Sequence, residues 1–262
     1  MRVHVVSDVH GNVDALARAG DGADALVVLG DLIDFVDYHD PQGGILGRLF
    51  GPEVTSRFAR LRSAGEPGEM GEFVRSLWSR LDDPTAVIDA AIREQYAELF
   101  AAMSAPTYAT PGNVDRPDLW PEFASDRVRV LDGEVAEIGG LRFGFVGGAP
   151  LPPGVQPRSS APWRAYMRTA EEFAAAAGRL RDVDVLCSHV PPAVPELAYD
   201  VDARRPEMSS GELLGIIRRD RPRTALFGHV HQPLCTRTRI GCTECVNVGH
   251  FRITGAPYVL RW

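Results

Sequence analysis

Ala25-Leu26-Val27-Val28-Leu29 is an unbroken apolar run. A strand of this kind has no polar face to offer to water, so it must be buried on both sides, as strands are in a parallel sheet sandwiched between other layers. The preceding residues agree with an α/β arrangement. Val3-His4-Val5-Val6 is extended in character, and Asn12 is placed to cap a helix from about Val13 to Ala19. Both runs end at an acid, Ser7-Asp8 and Gly30-Asp31. If the strands are neighbours, the two carboxylates lie side by side at the carboxyl edge of the sheet, where open α/β sheets bind ligands.

From about Tyr38 to Ala105 the period changes. Phe73, Leu77, Trp78 and Leu81, then Val87, Ile88, Ala91, Ile92, Tyr96, Leu99 and Phe100, recur at three- and four-residue spacing. This reads as a helical insertion, with turns at Pro41 to Gly44 and Ala64 to Gly68. Its apolar stripe must pack on something, so the insertion is a lid that shapes the pocket, a dimer surface of a homo-oligomer, or extra core, with Phe50, Trp78 and Tyr38 as candidate packing residues. Strand character resumes at Thr107 to Thr110, and Arg127 to Leu131, Val135 to Ile138 and Arg142 to Gly147 suggest an antiparallel meander opening a second sheet. Five prolines between Pro150 and Pro162 exclude a regular element there. Trp163 to Leu180 reads as helix, and alternating strands and helices follow to Leu260. At 262 residues with 45% apolar and 24% charged positions, the chain suits one large α/β domain, 1–262, with an insertion at about 38–105.

Five short motifs each follow a strand-like run: Asp8-Val9-His10-Gly11-Asn12, Gly30-Asp31-Leu32-Ile33-Asp34, Gly112-Asn113-Val114-Asp115, Ser188-His189-Val190 and Gly228-His229-Val230-His231. Singly they mean little, because a lone histidine is more often packed or on the surface than a ligand. Together they place every metal-capable side chain at a strand-to-loop junction, and parallel neighbours bring such junctions to one edge. Carboxylates with neutral imidazoles suit borderline divalent ions such as Mn, Fe, Zn or Ni. The glycines at 30, 112 and 228 are expected to permit tight turns.

As a set, the motifs resemble those of the calcineurin-like metallophosphoesterases, from Arg2 to about Gly249 with the insertion left out. The resemblance implies a four-layer α/β/β/α sandwich of two mixed sheets. It implies two divalent ions, one held by Asp8, His10, Asp31 and His231, the other by Asp31, Asn113, His189 and His229, with Asp31 bridging. Two cations about 3.5–4 Å apart acidify a water and clamp the oxygens of an in-line displacement at phosphorus. Asn113 would steady the anionic oxygens, and Asp31, Asn113 and His229 would be the residues nearest the chemistry. Asp34 and Asn12 are candidates to orient the ligands. The expected activity is phosphoesterase, with phosphodiesters slightly ahead of phosphomonoesters. Many members carry a histidine after the motif asparagine that protonates the leaving group; this chain has Val114. Unless His39, His250 or Asp115 substitutes, activated or aryl-like esters are favoured.

His250 and His39 are candidate substrate contacts, each weighed against a plain surface histidine, and Arg158, Arg204 and Arg205 are candidate phosphate grips weighed against solvated charge. Cys235, Cys242 and Cys245 do not make a convincing zinc knuckle, and with Cys187 they read as thiols of a reducing compartment. The net charge of −7, with arginine as the sole strongly basic residue type, disfavours a nucleic-acid backbone as partner and favours a small phosphate ester. No apolar run is long enough to span a bilayer and no signal segment is visible, so the expected location is the cytoplasm. Two rivals remain: a non-catalytic scaffold, marked by lost ligands, and a nuclease, marked by a basic groove.

Overall fold

A computed structural model of the chain describes residues 1–65, 67–157 and 161–262. Strand β1 (Arg2–Val6) pairs in parallel with β2 (Ala25–Val28), and α1 (Val13–Ala19) connects them. The Asn12 side chain accepts the Ala15 N–H at 3.1 Å, so the expected cap forms. The alternation of the two strands decides the layering. Val3, Val5, Ala25 and Val27 face one cluster, while Val6, Leu26 and Val28 face another with Leu16 of α1.

Among the described residues the insertion folds as four helices: α2 (Gly44–Phe50), α3 (Pro52–Ala64), α4 (Pro67–Trp78) and α5 (Pro84–Ala102). Ile88, Ile92, Tyr96 and Leu99 of α5 complete the core on the outer face of the first sheet. Helices α2 to α4 gather Leu46, Phe73 and Leu77, with Phe50, Phe58 and Trp78, into a small core of their own. The stripe read in the sequence is thus partly extra core. Trp78 meets Phe50 edge-on, whereas Tyr38 is exposed and packs with Arg62. The turn expected at Ala64 to Gly68 is shorter, because Pro67 and Gly68 already belong to α4; Pro is well tolerated in a first helical turn.

Strands β3 (Thr107–Ala109) and β4 (Val128–Val130) extend the first sheet in parallel. The expected meander is corrected here. β4 pairs with β3 and belongs to the first sheet, and the chain crosses to the second sheet only at Asp132-Gly133. Of the expected meander strands, β5 (Glu134–Ile138) and β6 (Leu141–Val146) pair as an antiparallel hairpin. The helix expected from Trp163 is also shorter: α6 spans Ala170–Ala177. Asp132 holds the preceding segment extended, accepting from Tyr166 Oη at 2.6 Å and from Arg168 at 2.9 Å. Thr169 and Glu172 then form a reciprocal capping box that fixes the helix start.

The second sheet continues with β7 (Val185–Ser188), α7 (Gly211–Asp220), β8 (Thr224–Phe227), β9 (Arg237–Ile240) and β10 (Thr243–Asn247), and its spatial order is β9-β10-β8-β7-β6-β5. β11 (Tyr258–Arg261) returns antiparallel to β1, giving the first sheet the order β11-β1-β2-β3-β4. Val185, Cys187 and Leu226 pack inward against the first sheet. Leu186, Ala225 and Phe227 pack outward against Phe173 of α6 and Leu213 and Ile217 of α7. Helices, sheet, sheet and helices therefore form the four layers.

Candidate metal centre

Every metal-capable motif lies at the carboxyl end of a strand that runs parallel to a neighbour. Asp8 and His10 follow β1, Asp31 follows β2 and Asn113 follows β3, all in the first sheet. His189 follows β7, and His229 and His231 follow β8, in the second. The two edges meet. His189 Nε2 stands 2.9 Å from Asn113 Oδ1 and 3.4 Å from Asp31 Oδ2, and His231 Nε2 stands 3.4 Å from Asp8 Oδ1. Asp31, His189 and His229 form one group able to hold a cation; Asp8, His10 and Asp31 form a second; His10, His231 and His250 form a third. Asp31 is common to the first two.

The backbone is bent to make this possible. Asp8, His10, Asp31 and His229 all have positive φ, between 41° and 69°. That region costs non-glycine residues about 1–3 kcal/mol each, so the surrounding structure must impose it. Main-chain bonds do so: Asp8 N–H to Gly30 O at 3.0 Å and His10 N–H to Asp31 O at 2.9 Å. Two of the motif glycines act differently from the tight turns expected. A Cβ on Gly112 would lie 2.1 Å from Asp31 Oδ1, and one on Gly228 would lie 2.3 Å from Asp8 Oδ2. Close approach of backbone to a ligand carboxylate, rather than turn geometry, requires glycine at both.

The donor chemistry fits bound cations. His189 Nδ1 donates to Leu29 O at 2.8 Å, and His10 Nδ1 to Ile33 O at 3.2 Å, which leaves each Nε2 as the atom aimed into the cluster. The Nε2 atoms of His10 and His231 face each other at 3.4 Å. Asp8 Oδ1 and His229 Nε2 are buried without a hydrogen-bond partner. Buried lone pairs converging in this way are unfavourable unless a cation lies among them. The charges respond to the same crowding. Burial pushes His229 down to about 3, helped by His189. Burial opposes protonation of His189, yet Asp31 and Asp8 raise it to about 9. Against burial, His189 and His10 hold Asp31 down at about 2. Asp8 is also held low, by His231, His189 and His10, against its burial.

Several neighbours were visible in the sequence only by type. His250 is buried rather than on the surface. It stacks on His231 at 3.8 Å between ring centroids, and its Nε2 has no partner. Arg252 was missed altogether: it donates to Asp34 at 2.8 Å, and also to Asp37 and the His10 carbonyl. Asp34 and Asn12 therefore hold this arginine, Asn12 by donating to its carbonyl at 2.8 Å. No sequence signal marks Arg252, since its role exists only through partners more than two hundred positions away. Asp115 is fully buried and accepts from Leu32 and Gly112 N–H and from Tyr96 Oη, so it braces the loop and cannot reach a leaving group. His39 is exposed, with its N–H on Asp37. Arg204 is exposed and Arg205 pairs with Glu207 at 2.9 Å. Arg158 lies outside the described residues. Cys235 and Cys242 are exposed while Cys245 is core, and among the described residues no cysteine joins a metal-capable group.

Fold and cluster together define an α/β protein that gathers candidate cation ligands from the edges of two facing sheets. The sequence profile of the calcineurin-like phosphoesterases matches residues 1–233, and the chain belongs to that family. A solved structure, the TT1561 protein of Thermus thermophilus, superposes with a TM-score of 0.57 at 15% identity, covering 96% of this chain and 90% of that one. Another crystal structure gives 0.57 at 17% identity over 95% and 91%. A novel archaeal phosphodiesterase aligns over 99% of this chain and 91% of its own at 13% identity, but its TM-score of 0.41 is too low to bear on activity. At such identities the likeness is one of fold alone. No curated protein sequence matches the chain.

Proposed function

We propose that the protein hydrolyses phosphate esters, diesters ahead of monoesters, with two divalent cations, Mn, Fe, Zn or Ni, held by Asp8, His10, Asp31, Asn113, His189, His229 and His231. The observation that carries this reading is the pair of ligand groups sharing Asp31, with Asp8 Oδ1 and His229 Nε2 buried and otherwise unsatisfied. Two such cations, when bound, supply an acidified water and neutralise charge on the phosphoryl oxygens.

The chain's own residues do the positioning. Asp31, fixed by the Val114 N–H on Oδ1 at 2.9 Å, presents Oδ2 between His10 and His189. Asn113 reaches the same edge beside His189, where its amide can face a phosphoryl oxygen. His250 stands against His231 with a free ring nitrogen and is the proposed substrate contact; His39, on an exposed loop, is a weaker second. With Asp115 buried and Val114 aprotic, aryl-like leaving groups are favoured over alkoxides. A non-catalytic scaffold would be marked by lost ligands, and all seven are present.

The test is hydrolysis of bis(p-nitrophenyl) phosphate and p-nitrophenyl phosphate by metal-stripped protein, with Mn, Fe, Zn, Ni or Mg restored, beside an Asp31→Asn/His189→Ala variant. Metal-dependent turnover lost in the variant supports the reading and ranks the two ester classes. Absence of turnover with every metal overturns it.

A further inference from the structure

A cavity of about 890 Å3 lies outside the metal cluster, between helices α3 and α4 of the insertion and the irregular segments 151–157 and 161–167. None of the seven proposed ligands lines it. Its walls include Phe35, Phe58, Val74, Trp78, Leu151 and Trp163. The inner wall is tied to the metal edge: Phe35 stacks on Trp163 at 4.0 Å between centroids, and Trp163 Nε1 donates to the Val114 carbonyl at 3.3 Å, one residue from Asn113. Small-molecule sites commonly measure about 300–1,000 Å3 and are mostly apolar with a few placed polar groups. Here the polar groups are charged. Arg116 is neutralised by Asp89 and Asp118, each at 2.8 Å, whereas the exposed Arg164, with Asp118 within electrostatic reach, makes no direct ion pair among the described residues.

We propose that this cavity seats an aliphatic chain of an amphiphilic phosphate ester, with Arg164 meeting its anionic end as the phosphate reaches the metal edge. A peptide occupant would bring main-chain N–H and C=O groups that so apolar a wall leaves unsatisfied. An alkyl chain brings none, and a guanidinium beside an apolar wall complements a molecule that is hydrophobic at one end and anionic at the other. This assignment rests on the phosphoesterase reading for its turnover and on the cavity for its selectivity.

The experiment compares p-nitrophenyl methyl, butyl and octyl phosphate diesters, below micelle-forming concentrations, on the Mn-loaded protein. The variants are Val74→Trp, which fills the cavity, and Val155→Asp, which charges an exposed lining position that is 44% accessible and so spares the fold. Calorimetry with methylphosphonate and octylphosphonate, which cannot be hydrolysed as esters, gives a readout independent of turnover. Expected are a rise in kcat/KM of roughly fourfold per added methylene over the first few, tighter binding of octylphosphonate, and loss of both trends in both variants while the methyl ester is still hydrolysed. Equal kcat/KM and equal binding across chain lengths overturn the proposal and leave the phosphoesterase standing. Chain-length-dependent binding that is lost in Val155→Asp, with no ester hydrolysed, keeps the cavity as an amphiphile site and sinks the enzymatic reading instead.

Discussion

The Val114 main chain is fixed at both ends, its N–H donating to Asp31 and its carbonyl accepting from Trp163, and its half-buried side chain packs at the margin of the first core. The ligand cluster is bonded to its main chain and not to its side chain, so exchanging the side chain removes no hydrogen bond from the cluster. Val114→His is expected to raise rates on unactivated alkyl esters by at least about tenfold, since general-acid assistance is typically worth roughly 10²–10⁴-fold. Rates on p-nitrophenyl esters should change little, so the ratio of the two, measured in one preparation, is the check. Gly112 predicts the opposite sensitivity. In Gly112→Ala the new methyl would stand 2.1 Å from Asp31 Oδ1 and 2.2 Å from Asp31 N. The loop must move, at about 1–3 kcal/mol, and metal affinity should fall; calorimetric titration with Mn reads the loss. The seven clustered side chains were legible in the sequence because each directly follows a strand and the carboxyl edge collects them. His250 could be named from the sequence only as a candidate weighed against a surface histidine, and Arg252 not at all, because neither type nor spacing distinguishes them from surface residues until the last loop folds back over His10.

At the level of elements, strands buried on both faces announced themselves as unbroken apolar runs, α1 by its Asn12 cap and α5 by its period. Tertiary demand explains the misreadings. Trp163 to Thr169 has helical composition but is held extended by Asp132, and Val128–Val130 has the alternation of a meander strand but finds an open parallel edge at β3. Arg252 is a tie between elements, joining the short helix after β10 to the Asp34 and Asp37 carboxylates that open the insertion. Both acids are buried. Removing one partner of a buried pair typically costs about 3–5 kcal/mol because an uncompensated charge stays behind. Arg252→Met should therefore destabilise the fold by that order in urea unfolding. The same change combined with Asp34→Asn and Asp37→Asn should recover part of the loss.

For the whole molecule, the sheets bury two of the four thiols. Cys187 and Cys245 are buried, and desolvation pushes both thiols up, Cys245 to about 11, while Cys235 and Cys242 are exposed. An aromatic disulfide reagent at pH 8 should titrate two thiols quickly in the native protein and four after denaturation. Cations that bind the folded edge but not the unfolded chain stabilise by mass action, about 2.7 kcal/mol at a hundredfold excess over Kd. For a chain of this size that corresponds to a rise in Tm of roughly 5–10 °C, absent in Asp31→Asn/His189→Ala and reversed by a chelator.

The spread of the ligands along the chain also sets an order in time. Asp8 emerges first from synthesis and His231 more than two hundred residues later, and the strands that carry them lie in different sheets. A partly made chain holds at most fragments of the coordination set, so the complete centre arises only after the second sheet has docked on the first. On the proposed reading metal uptake follows folding, and a misassembled chain lacks the complete site.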